Sequence, residues 1–267
     1  MLFTSKFSSV LGLLCLTYAP EIFSRPLLPR QSTVTLQVLN DSVDTKLGCT
    51  AAQISTLQSA LSDASSVAAV AARTLSGVAL GGTNPEAVAT FLGITGSELA
   101  DQTSTRITSV GTEYGGSLGQ ITDLIAGNSD TTLRFYCPAA STTAQEGNPC
   151  DPGDEASTAN LAEGGGAINK IALCDQFFVG DTLAADTSNY NADKAAGKLT
   201  SFRNPLSPGI VSQHSVPLLG GDLSLVLEDE AEDVADCAAL PDSEKADNAE
   251  NWALIAFLAQ VDPSRFS

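Results

Sequence analysis

The stretch Thr50–Leu75, TAAQISTLQSALSDASSVAAVAARTL, predicts a long helix with one apolar face and is the strongest indication of fold in the chain. Thr50 and Gln53 match a capping box, in which an N-cap hydroxyl and a side-chain amide three residues later satisfy backbone N–H groups. Apolar residues then recur at helical spacing, which predicts a buried stripe. They are Ile54, Leu57, Leu61, Ala64, Ala68, Ala71 and Leu75.

Helical spacing also occurs later in the chain, and it makes helix the main element of the predicted fold. Asn84-Pro85 is typical of a cap followed by proline at the first helical position. The residues from Leu99 to Tyr114 carry another helical stripe. The C-terminal part predicts an acidic-faced helix over residues 223–238, stopped by Pro241, and a mostly buried helix from Ser243 to Val261.

Strands are predicted at three places, and the fold class is therefore α+β, mostly helical with a small disulfide-braced sheet. Residues 31–47 form an N-terminal tail or edge strand, because polar and apolar side chains alternate there. Two runs rich in β-formers predict further strands, Thr131–Cys137 and Ala167–Cys174. Residues 138–165 and 180–221, rich in glycine and proline, are predicted as loops, within one domain over residues 48–267.

The first thirty residues are typical of a targeting segment. Lys6 precedes an apolar stretch that is too short to span a bilayer, so residues 1–24 are predicted to be a signal peptide and residues 25–30 a short pro-segment. No later segment is expected to be apolar for long enough to span a membrane. We therefore expect a secreted, extracellular protein. Asn40-Asp-Ser42 is its one N-glycosylation sequon, with Asn40 the candidate site.

The charge of the chain argues against two classes of partner. The full sequence carries 13 basic and 31 acidic side chains, a net charge of −18, and loss of residues 1–30 leaves 10 basic against 30 acidic ones. Such a field repels phosphate backbones and anionic lipid headgroups, so nucleic acid and membrane surfaces are not expected partners. Cationic partners fit better, although acidity also serves solubility alone.

The cysteines predict disulfides. Outside the signal peptide the chain has five, an odd number, which suggests two disulfides and one remaining thiol in an oxidising compartment. Fifteen connectivities are open. Among them we favour Cys49 with Cys137 and Cys150 with Cys174, which leaves Cys237, on a predicted helix, as the odd cysteine.

Three landmarks occur in order along the chain. They are Gly48-Cys-Thr50 before the alanine-rich helix, Leu173-Cys-Asp-Gln-Phe-Phe178 at the end of a strand, and Asn248-Ala-Glu-Asn-Trp-Ala-Leu-Ile-Ala256 in the last helix. Their order and spacing resemble the deuterolysin-type, or aspzincin, metallopeptidases and the lysine-specific metallo-endopeptidase domain of fungi. The resemblance covers most of residues 48–261 and implies a zincin-like metallopeptidase scaffold.

The zinc motif of those peptidases is missing. The resemblance implies HExxH, two histidine ligands with a glutamate base, but the chain has one histidine, His214. Ser215 stands where the base should be, Leu218 where the second ligand should be, and Pro217 would break the helix that presents them. Asp222 follows as a displaced remnant of the aspartate ligand. No catalytic, cofactor or metal residue is therefore assigned, and His214 and Asp222 are weak remnant candidates only.

We expect a secreted, monomeric, metallopeptidase-like protein without catalytic activity and without a cofactor, whose partner is an extracellular protein or peptide. Two alternatives stay open. The chain could be an active zinc metalloendopeptidase with ligands from His214, Asp222 and an acidic side chain of the next helix. It could also come from a gene model that lost the segment encoding HExxH.

Overall fold

A five-stranded mixed sheet organises the described part of the chain. The computed structural model describes residues 35–122, 132–152, 154–163, 166–198, 231 and 234–267. The strands are β1 Thr35–Leu39, β2 Leu118–Ile121, β3 Thr132–Tyr136, β4 Ala156–Glu163 and β5 Gly166–Leu173. Their order is β2-β1-β3-β5-β4, and all neighbours are parallel except β4 and β5, which are antiparallel. The predicted α+β class with a small sheet is confirmed.

β1 is an interior strand, so the prediction of a tail or edge strand for residues 31–47 was wrong in this respect. It pairs with β2 on one side and with β3 on the other. Leu36, Val38 and Leu39 are buried, and two consecutive buried residues at its end are typical of a strand covered on both faces. Alternation over a short segment could not distinguish an edge from the middle of a sheet.

Helices make up most of the remaining fold. The first part of the chain contains α1 Ala51–Gly81, α2 Glu86–Phe91, α3 Gly96–Gln102 and α4 Ser109–Tyr114, with a π-helical turn, Thr103–Thr108, joining α3 to α4. Later helices are α5 Leu183–Ala195, α6 Val234–Ala239, α7 Asp242–Lys245 and α8 Ala249–Val261. The first-half helices are confirmed, with α1 extending to Gly81 and the second stripe starting at Gly96, and the two strands Thr131–Cys137 and Ala167–Cys174 are confirmed with ends shifted by one residue.

α1 is the helix on which the others pack. The capping box is present, because the Thr50 hydroxyl accepts from the Gln53 N–H and the Gln53 side chain accepts from the Thr50 N–H. Its apolar stripe is buried against α3, α4 and α8.

Among the described residues α1 is also the one helix long and apolar enough to cross a membrane, so the expectation that no later segment meets that criterion was wrong. A core helix meets the same criterion.

The predicted C-terminal helix, Ser243–Val261, is two helices. The chain leaves helical geometry between α7 and α8, and the Ala246 carbonyl there accepts hydrogen bonds from the Arg106 guanidinium at 2.6 Å and the Trp252 indole at 2.8 Å. Tertiary donors therefore take the place of a helical N–H. α8 is buried on all sides, as expected. Of the predicted helix 223–238, only α6 and Ala231 fall within the described residues.

Two predicted loops contain regular structure. α5 lies in the predicted loop 180–221, where its buried face consists of Leu183, Asp186 and Tyr190, and an acid in the middle of the stripe hid the helical period. β4 lies in the predicted loop 138–165, and its sequence, ASTANLAE, is poor in large β-formers. β4 pairs with β5 along all eight of its residues, so strand pairing outweighs weak intrinsic preference. The rest of the predicted loop 180–221, residues 199–221, lies outside the described residues.

Candidate functional site

The two remnant zinc candidates, His214 and Asp222, lie outside the described residues. The part of the chain that the structure describes has no group of three or more histidine, cysteine, aspartate or glutamate side chains placed to hold a metal ion. His214 is the one histidine of the sequence, and catalytic zinc sites take three protein ligands in which imidazole predominates. The donor set does not fit a hydrolytic zinc centre, and no chemical step is derived through zinc.

Two disulfides fix the loops that follow β3 and β5 at the carboxyl edge of the sheet. Cys49, shortly after β1, is bonded to Cys137, directly after β3, with a Cα–Cα distance of 4.7 Å. Cys150 is bonded to Cys174, directly after β5, at 5.8 Å. These are the pairings favoured from the sequence, and Cys237 is the odd cysteine among the described residues. The loops at this edge of the sheet are therefore covalently fixed.

A cleft of about 490 Å³ opens between these loops, and we call it the carboxyl-edge cleft. Its polar lining comes from the loop after β1, the segment after β5 and the start of α1: Asp41, Thr45, Thr50, Gln53 and Asp175. Along the chain, β1 is followed first by β2, which pairs with one side of β1, and then by β3, which pairs with its other side. The order of the strands across the sheet therefore reverses at β1. The crevice outside the carboxyl ends of strands at such a reversal is the usual ligand site of open sheets.

Gly48 is required at the base of this cleft. A Cβ atom at this position would lie 2.4 Å from the carbonyl oxygens of both Asn40 and Asp44. Real Cβ atoms essentially never show so short a distance. The close approach lets the Gly48 N–H donate to the Asp44 carbonyl and brings Cys49 to its disulfide partner. Glycine therefore fixes the turn that carries Asp41 and Thr45 to the cleft.

The cleft suits a ligand with a positive charge. Asp41 is half-buried and Asp175 is exposed, and no lysine or arginine is among the residues that line the cleft. Thr45, Thr50 and Gln53 add hydroxyl and amide groups that can hydrogen-bond to a ligand's donors. The −18 net charge of the sequence adds a long-range attraction for cations.

The three landmarks of the sequence do not share a site. The first two meet at the carboxyl-edge cleft, where Gly48, Thr50 and Asp175 are lining residues. The third forms the start of α8 and is buried. Its Asn251 amide donates to the carbonyls of Phe91 and Cys237, at 2.6 and 3.2 Å. These bonds fasten α8 to α2 and α6, so the third landmark has a structural role.

The remaining predicted residues have clear surroundings. The Cys237 thiol is buried and donates to the Ala231 carbonyl at 3.2 Å. Burial raises the pKa of Cys237 to about 12, the environment of an unreactive structural thiol. Asn40 is half-buried in the turn after β1, and its side-chain oxygen accepts from the Ser42 N–H at 2.8 Å. Glycosylation at Asn40 stays a prediction.

Sequence-based reasoning missed Asp41, Thr45 and Gln53 as lining residues of the cleft. The available signal was topological, since Asp41 follows a strand end, but it required knowing that β1 is central. Asp186 was also missed. It is fully buried, and burial, together with the negative charges of Asp181 and Glu155, raises the pKa of Asp186 to about 7.

Comparison of the chain with protein-family models and with curated proteins gives no match.

Proposed function

We propose that the protein is a secreted, metallopeptidase-like scaffold that binds an extended, basic segment of an extracellular protein and does not cleave it. The observation that carries this proposal is the position of β4. It is an edge strand, and no other described strand pairs with its outer side. A peptide can add to such an edge through main-chain hydrogen bonds, which accept many sequences.

The carboxyl-edge cleft supplies a preference for charge. β4 begins at Ala156, opposite Leu173 of β5, and Asp175 follows two residues later. The start of β4 and Asp175 therefore belong to the same end of the sheet. A segment lying along the outer side of β4 would lie two strand positions from β5, and a lysine or arginine near the start of β4 would extend towards Asp175, the carboxylate that follows β5.

The missing zinc motif supports binding without hydrolysis. A hydrolytic zinc centre requires several ligands and a base, and the chain has one histidine, with Ser215 and Leu218 at the positions that the resemblance would give to base and second ligand. The landmarks that remain, by contrast, belong to the disulfide-held cleft and to the buried helix α8. The scaffold is thus kept where peptide would bind and changed where zinc would bind.

Binding can be tested with a matched pair of peptides. The first is a fluorescein-labelled decapeptide of alternating valine and threonine with one central lysine, and the second carries acetyl-lysine in its place. We expect the lysine peptide to bind more tightly in fluorescence anisotropy, and Asp175→Asn to weaken it about threefold or more. Asp101→Asn, the same change at an exposed helical position away from the cleft, is the control. Equal binding of the two peptides, or equal effects of the two variants, would refute a role for the cleft.

Lack of catalysis has its own measurement. Elemental analysis of the secreted, purified protein should give no zinc above background, and the lysine peptide should stay intact on long incubation. One zinc per chain that disappears in His214→Ala, with chelator-sensitive cleavage, would establish the active-peptidase alternative. A transcript with additional residues between Gln213 and Gly220 would establish the gene-model alternative.

A further inference from the structure

The sequence contains two Asp–Pro bonds, Asp151–Pro152 and Asp262–Pro263. Such a bond is unusually labile in acid, for two chemical reasons. The aspartate carboxyl can reach its own main-chain carbonyl carbon through a five-membered ring. The proline nitrogen belongs to a tertiary amide, which takes up a proton more readily than other amide nitrogens do. In a folded chain the lability of the bond therefore depends on the freedom of the carboxyl.

The carbonyl groups of the two bonds have the same main-chain partner. The Asp151 carbonyl oxygen accepts a hydrogen bond from the Asp154 N–H at 3.1 Å, and the Asp262 carbonyl oxygen accepts one from the Arg265 N–H at 3.1 Å. A donor in this position stabilises the negative charge that develops on the oxygen when the carbon is attacked. The main chain therefore favours attack at both bonds, and it does not distinguish between them.

The Asp262 carboxylate is held away from its own carbonyl carbon. Asp262 is 2% exposed, and both side-chain oxygens are engaged, Oδ1 by Lys194 and Ser264 and Oδ2 by Tyr190 and Arg265. The carboxylate cannot turn towards the main chain without breaking these hydrogen bonds, which are of the strong, charge-assisted kind. The Asp262–Pro263 bond is therefore protected in the folded protein.

The Asp151 carboxyl has the opposite surroundings. Asp151 and Pro152 are both exposed, so water reaches the bond between them. The Asp151 side chain forms no hydrogen bond or ion pair with any described residue, and it is free to turn towards its own carbonyl. Its main chain is fixed, because the Asp154 carboxylate accepts from the Asp151 N–H at 2.8 Å and the preceding Cys150 is bonded to Cys174.

We propose that in acid the Asp151 carboxyl cleaves its own peptide bond to Pro152, which converts the chain into a two-chain protein held together by the Cys150–Cys174 disulfide. The carboxyl oxygen forms a bond to the Asp151 carbonyl carbon, the bond from that carbon to the Pro152 nitrogen breaks, and the carboxyl proton leaves with the nitrogen. Water then opens the cyclic anhydride and leaves Asp151 with two carboxyl groups. One water molecule is consumed, and nothing is oxidised or reduced.

The position of the cut explains why the two chains stay together. Cys150 lies before the cut and its disulfide partner Cys174 lies after it. The new amino terminus, Pro152, comes shortly before β4, which begins at Ala156. The cut therefore separates the preceding loop from the edge strand while both remain attached to the sheet. This inference does not rest on the peptide-binding role proposed above, because it concerns a reaction of the chain with itself.

The test is incubation of the purified, disulfide-bonded protein in acid, at the lowest pH at which the fluorescence of Trp252 is still that of the folded protein. Mass spectrometry should show a species heavier by one water molecule, which reduction separates into a fragment ending at Asp151 and a fragment 152–267. Cleavage at Asp262–Pro263 should be at least about tenfold slower, because freeing that carboxylate costs hydrogen bonds. In guanidinium chloride at the same pH, the two bonds should break at similar rates.

Two variants assign the reaction to the Asp151 carboxyl. Asp151→Glu keeps the carboxyl but enlarges the ring that it must form, so cleavage should slow by at least about tenfold. Asp101→Glu, the same change at an exposed helical position, should leave the rate unchanged. An intact Asp151–Pro152 bond in acid, equal rates in the two variants, or equal cleavage of the two Asp–Pro bonds in the folded protein would overturn the proposal. Equally fast cleavage at about pH 7 would also overturn it and assign the cut to a contaminating peptidase.

Discussion

Two buried tyrosines allow the same chemical change to be made in opposite surroundings. Tyr190 on α5 is 1% exposed, and its hydroxyl donates to the Asp262 carboxylate at 2.8 Å. Tyr114 is equally buried, but its hydroxyl has no partner among the described residues. Replacement of either residue by phenylalanine keeps the ring and removes one oxygen. The difference between the two variants therefore isolates the hydrogen bond.

Tyr190→Phe is expected to destabilise the fold by about 1.5–3 kcal/mol, the usual contribution of a hydrogen bond to a charged group. The lower end fits better, because Asp262 keeps Lys194 at 2.7 Å, Ser264 at 2.6 Å and Arg265 at 3.0 Å. Burial alone would raise the pKa of Asp262, but these bonds hold it well below the usual range, so the carboxylate stays charged in the variant.

Tyr114→Phe is expected to stabilise the protein by about 1 kcal/mol, because the variant no longer buries an unsatisfied hydroxyl. The assay is urea unfolding with the disulfides oxidised, followed by fluorescence of Trp252, the one tryptophan, which is 1% exposed. In thermal unfolding each kcal/mol corresponds to about 2–4 °C for a chain of this size. Equal losses in the two variants would refute the reasoning and show that the Tyr114 hydroxyl holds a partner.

Two further changes test the electrostatics and the disulfides. Burial raises the pKa of Asp186 from 3.8 to about 7, so its contribution to stability is complete below pH 3.8 and is lost as the pH rises towards 7. Asp186→Asn should flatten the fall of the urea midpoint over that interval, and a course parallel to the wild type would contradict this. Loss of the Cys49–Cys137 disulfide, with a sequence separation of 88, should cost about 4.6 kcal/mol and loss of Cys150–Cys174, with a separation of 24, about 3.5 kcal/mol. The opposite order of unfolding midpoints in the double alanine variants would exclude an entropic origin.

The elements predicted best are those with strong local signals. The capping box and apolar stripe of α1 are sufficient to specify a helix, and both are present in the structure. β3 and β5 were found because they are short runs rich in β-forming residues. α5 was missed because its inward face includes Asp186, and β4 because its small side chains carry little strand preference. Pairing and burial, which decide both cases, are not local properties.

The carboxyl-edge cleft could be predicted only in part. The cysteine pairing indicated which loops meet, and Asp175 was singled out within a landmark. Asp41 and Thr45 required the strand order, because the carboxyl edge becomes a cleft only when β1 lies between β2 and β3.

The third landmark has a structural reason that does not depend on metal chemistry. Asn248 donates to the Ala231 carbonyl and to the side chain of Asn251, which in turn donates to Phe91 and Cys237. Substitution of either amide would leave several buried polar groups unsatisfied, a cost of about 1–3 kcal/mol each. Selection for stability alone would therefore retain this landmark. Buried hydrogen bonds alone therefore account for this landmark, and no metal ligand takes part in them.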